Sequence, residues 1–119
     1  MPEVDYIMSC EELGAFLVAY NIDVSKCEEM PLDPEVSSLS RGYACAGGVR
    51  DAIVNAVGDG YTTANFEGLD KKNIALLKGM VKKPVAQFVE VMACEGGCVN
   101  GPCTLAPLSL ARKNIKKVL

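Results

Sequence analysis

Apolar residues fall at Leu13, Phe16, Leu17 and Tyr20, the i, i+3, i+4, i+7 spacing of a helix with one oily face. Ser9 followed by Glu12 is a capping box, and Asn21 ends the helix. Ahead of it, Val4–Met8 alternates weakly and predicts a short strand. A second helical period runs through Val49, Ala52, Ile53, Ala56 and Val57, entered by Gly47-Gly48 and stopped by Gly58 and Gly60. Tyr61–Phe66, with the β-branched pair Thr62-Thr63, predicts a strand. Asp70 caps a third helix with apolar positions Ile74, Leu77 and Val81, and Pro84 breaks it. Ala86–Ala93 carries the clearest strand pattern: Phe88, Glu90 and Met92 point one way, Val89 and Val91 the other. Pro107 suits the first position of a last helix, whose inner face is Leu108, Ala111, Ile115 and Val118.

Between Asp23 and Arg41 the pattern lapses. Prolines 31 and 34, acids and serines predict an irregular loop, long enough to be either a functional surface or a segment that needs a neighbour. The order β-α-loop-α-β-α-β-α describes a small layered α/β domain, and residues 1–119 suit a single domain. A chain of this length can bury roughly two-thirds of its unfolded surface without staples.

Composition narrows the function classes. Fifteen acidic against twelve basic residues give a net charge of −3, which argues against nucleic acid as a partner. The basic cluster Arg112, Lys113, Lys116 and Lys117 lies at the C-terminal end, where it complements a terminal helix dipole. No apolar run is long enough to span a membrane, and MPEVDYIMSCEEL lacks the layout of a secretory signal. The expectation is a cytoplasmic protein whose six cysteines are thiols or metal ligands sooner than disulfides. With no histidine, Ser-His-Asp and Cys-His catalysis are excluded, and so are the commonest zinc sites.

Chemistry concentrates in FVEVMACEGGCVNGPCTL, residues 88–105. Cys94 and Cys98 are four apart, so a helical turn puts both sulfurs on one side. Gly96 and Gly97 clear space for a bulky group, and their amides are expected to be free to donate to sulfur. Thiolates with amide donors at the carboxyl end of a strand suit an iron–sulfur centre. The spacing leaves zinc, a redox dithiol and plain buried thiols open beside it.

Glu90-Val-Met92-Ala-Cys94-Glu-Gly96-Gly97-Cys98-Val-Asn-Gly101 resembles the C-terminal cluster motif of the iron-only (FeFe) hydrogenases, Glu-x-Met-x-Cys-x-Gly-Gly-Cys-x-x-Gly. Asp5-Tyr-Ile-Met-Ser-Cys-Glu-Glu-Leu is similar to that family's strand-then-helix segment, and Gly47-Gly48-Val49 with Ala52 to its Gly-Gly-Val-x-x-Ala helix start. The resemblance spans nearly the whole chain and about the last third of the family's catalytic domain. It implies a piece of that domain, and reversible reduction of protons to dihydrogen by the intact parent with ferredoxin-type electron donors. The implied cofactor is the H-cluster, a four-iron cubane joined to a two-iron subcluster. Cys94 matches the third of its four cysteine ligands, and Cys98 the fourth, which bridges the two parts. Met92 matches a residue packed against the two-iron unit, and Glu90 a carboxylate behind the ligands. The other two ligand motifs, threonine-serine-cysteine and methionine-proline-cysteine, do not occur here, and Met8-Ser9-Cys10 is not the first of them. The isolated chain is therefore expected neither to retain the cluster nor to turn over.

The family's common ending is a glycine triplet followed by glutamine-proline. Here Gly101 leads into Pro102-Cys103, and Glu95 follows Cys94, features that resemble the divergent, sensory branch. An iron–sulfur sensor or assembly relative is thus the alternative to a catalytic parent. Cys10, Cys27 and Cys45 read as ordinary thiols, with Cys45 the best placed to face a cluster. Cys103 reads as an extra ligand, a redox thiol or a plain loop cysteine. Met92 could equally fill the core, and Glu90 needs partners if buried. The implied partners are the remainder of the catalytic domain and an electron donor, with no nucleic acid and no membrane. The 23–41 loop and the missing neighbours imply exposed apolar surface, and with it self-association.

Overall fold

The computed structural model describes residues 3–58 and 60–119. Five α-helices and two strands follow in the order α1 (Cys10–Ala19), α2 (Ser38–Arg41), α3 (Gly48–Val57), β1 (Thr63–Glu67), α4 (Lys71–Lys82), β2 (Phe88–Met92) and α5 (Leu108–Ile115). Short 3-10 turns lie at Val24–Lys26, Gly42–Ala44 and Cys98–Asn100. The α/β class holds, and the sheet is smaller than expected. β1 and β2 pair in parallel, Thr63 opposite Phe88 through Glu67 opposite Met92, with α4 as the crossover.

The local signals act as their chemistry dictates. At α1 the Ser9 hydroxyl accepts from the Glu12 amide while the Glu12 carboxylate accepts from the Ser9 amide, closing the capping box. Asn21, with φ 54°, turns the chain out of the helix. Asp70 caps α4 through the Asn73 amide, and the helix stops before Pro84. Gly47, with φ 93°, is the N-cap of α3.

Four expectations are corrected. Val4–Met8 is not a strand; it runs irregularly, with Tyr6 and Ile7 about 90% exposed (90% and 91%). An extended segment becomes a strand only when a neighbour takes its amides and carbonyls, and β1 and β2 are the paired strands among the described residues. The 23–41 loop is not wholly irregular. Ser37 caps the one-turn helix α2, its hydroxyl accepting from the Ser40 amide. In α4 the half-buried positions are Asn73, Leu77 and Met80, while Ile74 and Val81 are exposed. Asn73 Nδ2 donates to the carbonyls of Glu67 and Gly68 at 3.0 and 2.7 Å, which fixes the rotation of the helix. Pro107 lies one place earlier than expected, at the N-cap of α5.

The packing is unusual for 119 residues. No apolar side chain is buried among the described residues. The buried positions are Gly42, Gly47, Glu90, Gly96 and Gly97. The radius of gyration is 17.5 Å, against about 13.5 Å for a compact domain of this length. The tightest part of the molecule is thus backbone and one carboxylate, gathered where β2 ends.

Candidate functional site

The carboxyl ends of the two strands stay together past the sheet. Gly68 N donates to Met92 O and Leu69 N to Ala93 O, so Cys94 leaves from a braced position. The chain then folds back through Gly96 (φ 83°) and Gly97 (φ 89°), both in the left-handed region that favours glycine. Gly97 also needs its missing side chain. A Cβ there would lie 2.6 Å from Ala46 N, 2.7 Å from Ala44 O and 2.8 Å from Met92 Sδ. Met92 is half-buried, and its sulfur therefore lies against the loop between the two cysteines.

The same loop docks on the entry to α3. Ala46 N donates to Gly96 O at 3.0 Å. Glu90, 6% exposed, accepts from Gly47 N through Oε1 at 3.2 Å and from Arg50 N through Oε2 at 3.1 Å. A buried carboxylate on the first amides of a helix satisfies donors that the helix itself leaves open, and complements its dipole. The partners that Glu90 needed are backbone amides, so β2, α3 and the cysteine loop form one hydrogen-bonded unit.

The amides of Gly96 and Gly97 have other partners than sulfur. Gly97 N donates to Cys94 O at 3.1 Å, and Gly96 N to Glu67 Oε2 at 2.6 Å. Glu67 also meets Arg112 Nη2 at 3.3 Å. Arg112 thus serves an ion pair as well as the end of α5. Glu67, Gly96 and Arg112 line a cavity of about 530 Å³, together with Cys45, Ala46, Asp51 and Lys116.

Cys94 is half-buried and Cys98 exposed; a Cβ on Gly101 would lie 3.8 Å from Cys94 Sγ. Cys45 is half-buried on the cavity wall, beside Ala46, whose amide holds Gly96. Cys103 sits apart, toward α1. A hydrogen bond to the Glu11 carboxylate, then burial and the nearby charges of Glu11, Glu12 and Cys10, push its thiol above the ordinary range. Its backbone is left-handed, φ 65°, at the place where the common family ending has glycine. Cys10 and Cys27 are exposed. Among the described residues no three cysteine, aspartate or glutamate side chains come together as a metal-holding group.

Residues 1–102 match the family model of the iron only hydrogenase large subunit, C-terminal domain. The chain belongs to this family. It is 36% identical over 73 residues to iron hydrogenase 1 of Clostridium pasteurianum, covering 60% of this chain and 13% of that protein. It is also 50% identical over 48 residues to the cytosolic Fe-S cluster assembly factor NAR1 of Cryptococcus neoformans, covering 38% of this chain and 7% of that protein. The chain therefore corresponds to a small fraction of either relative. The match to the iron only hydrogenase domain includes α1 to β2 and the cysteine loop, and stops before α5. Among the described residues no helix is long and apolar enough to cross a membrane.

Sequence reasoning missed Glu67 and Asn65, and gave Arg112 a helix-end role alone. Glu67 and Arg112 meet across 45 positions and belong to no motif. Asn65 stands opposite Glu90 in the sheet, and its Oδ1 is buried without a hydrogen-bond partner. No local signal marks it.

Proposed function

We propose that this chain is the C-terminal part of an FeFe-hydrogenase-type domain, and that Cys94 and Cys98 are its contribution to an iron–sulfur cluster. The observation that carries this reading is the cysteine loop itself. Within the family match, it leaves the end of β2, closes on the start of α3, and keeps a half-buried and an exposed thiol on either side of a glycine pair that tolerates no side chain. Two thiols suit half of a cubane, whose irons take four cysteine ligands. The remaining ligands belong to the part of the catalytic domain outside this chain, which is the principal partner. The exposed apolar residues, from Tyr6 and Ile7 to Met30 and Val81, support a surface that such a partner covers, or that self-associates without it.

The donor set fits the group. When bound, the cluster supplies the redox chemistry, which in the intact parent is the reversible reduction of protons to dihydrogen with ferredoxin-type donors in the cytoplasm. This chain's residues do the rest. Cys94 and Cys98 hold metal, Gly97 lets Met92 and the α3 entry close behind the loop, and Glu90 fixes that entry. Cys103, set apart beside Glu11 of α1, stays outside the ligand set proposed here.

A second reading is supported by the NAR1 similarity and by the Gly101-Pro102-Cys103 ending: a non-catalytic relative that holds a cluster for sensing or handover. Anaerobic reconstitution separates the readings. The chain alone should show no stable iron–sulfur absorption. Supplied with a polypeptide bearing the two upstream cysteine motifs, it should develop charge-transfer bands that Cys94→Ala or Cys98→Ala abolishes and Cys103→Ala does not. Hydrogen evolution from a reduced dye by that complex supports the catalytic reading, and a stable cluster without it supports the other. Absence of bands that depend on Cys94 and Cys98 would falsify both.

A further inference from the structure

Gly96 is the middle of the span between Cys94 and Cys98, and its flanking peptide groups are gripped from two directions. Its carbonyl accepts from Ala46 N at 3.0 Å, and its amide donates to Glu67 Oε2 at 2.6 Å. Glu67 is the last residue of β1, opposite Met92. It reaches the loop from the neighbouring strand, 29 positions away. Its Oε2 is shared with Arg112 Nη2 at 3.3 Å. Arg112 comes from α5, which lies beyond residues 1–102 of the family match. The same helix closes over Gly96, where a Cβ would lie 2.5 Å from Leu108 Cδ1 and 3.3 Å from Arg112 Nη2.

We infer that Glu67 is the positioning residue of the cysteine loop, and that α5 acts as a clamp which holds the Glu67 carboxylate on the Gly96 amide. The inference rests on the cluster-binding reading for its purpose, since its effect is to set how Cys94 and Cys98 are presented. Three features support a dedicated role. The Gly96 contact is short and charge-assisted, the kind of hydrogen bond that fixes an orientation. The Arg112 side chain is 46% exposed and that of Glu67 39%, so the ion pair alone adds little stability. And the pair meets on the loop side of the cavity, where docking or release of α5 acts directly on the peptide between the two thiols.

The test uses the metal-free chain, so its outcome is independent of whether a cluster is ever bound. Amide exchange at Gly96 is followed by NMR, with the Gly47 amide on Glu90 as internal control. Alkylation of Cys94 by iodoacetamide is mapped by mass spectrometry, with Cys27 as reference. Glu67→Ala should speed Gly96 exchange by roughly tenfold, the loss of one charge-assisted hydrogen bond, and leave Gly47 protected. Cys94 should alkylate several-fold faster relative to Cys27. Glu67→Gln should restore most of both values, because its amide oxygen still accepts from Gly96. Arg112→Ala should give a smaller effect that vanishes in the Glu67→Ala background. Unchanged Gly96 exchange, loss of Gly47 protection in step with Gly96, failure of Glu67→Gln to rescue, or an Arg112→Ala effect undiminished beside Glu67→Ala overturns the clamp.

Discussion

Residues 3–37 and residues 42–101 are held by different kinds of bond. In the first region the side-chain bonds among its own residues are short-range: Ser9 with Glu12, Asp23 with Ser25 and Lys26, Asp33 with Glu35. Most of its apolar residues face outward, Tyr6, Ile7 and Met30 among them. In the second region the decisive bonds cross the chain. Gly47 and Arg50 reach Glu90 over 43 and 40 positions, and Gly96 reaches Glu67 over 29. The difference teaches where this chain is self-sufficient. Backbone and carboxylates complete the cysteine loop from within, whereas the N-terminal region keeps its local shape and leaves its apolar surface uncovered.

The comparison is broken most severely at Gly97. Alanine there meets a left-handed backbone and three atoms closer than 3 Å, on Ala46, Ala44 and Met92. Strain and overlap together should cost about 3 kcal/mol or more. In urea unfolding, Gly97→Ala should lose the cooperative transition of the site region. A midpoint equal to wild type would show that the loop is loose.

Glu90→Ala should follow, at about 2 kcal/mol, because it leaves the first amides of α3 without an acceptor. Glu90→Gln should retain part of that stability through its amide oxygen. If both variants unfold as wild type does, Glu90 is not the tie between β2 and α3.

Cys103→Gly acts on the boundary between the regions, since Cys103 faces Glu11 and Leu105, two residues on, lies against α1 at Gly14. Relieving the left-handed backbone should raise the urea midpoint by about half a molar. A lower midpoint would mean that the Glu11 contact outweighs the strain.

What could be read from the residues divides along the same line. The capping box at Ser9, the Asp70 cap and the glycine stops of α3 were legible because each is complete within a few positions. Val4–Met8 was misread because a strand is a property of two segments, and β-alternation says nothing of whether the second is present. In α4 the apolar period pointed to Ile74 and Val81, yet Asn73 sets the rotation by binding the end of β1. At the site, the glycine pair was expected to clear space for a bulky group, and the chain's own Leu108, Ala46 and Met92 take that space. The free amides expected there are bound to Cys94 O and Glu67, a long-range fact that no spacing contains. Glu90 stood out by its motif, but its task as a helix cap required knowing that α3 begins beside β2.

The smallest effect tests the N-terminal region's half of the comparison. Tyr6 and Ile7 are 90% and 91% exposed, and no described strand pairs with them. Replacing both with serine removes no buried contact, so the unfolding free energy of the chain should change by no more than about 0.5 kcal/mol. Association should change far more, because an exposed apolar patch adds its free energy only when something covers it. Sedimentation of wild type and Tyr6→Ser/Ile7→Ser at matched concentrations should show less self-association in the variant, and titration with the remainder of the catalytic domain should show weaker binding. A stability loss well beyond that limit with association unchanged would mean that these side chains support the fold of this chain itself.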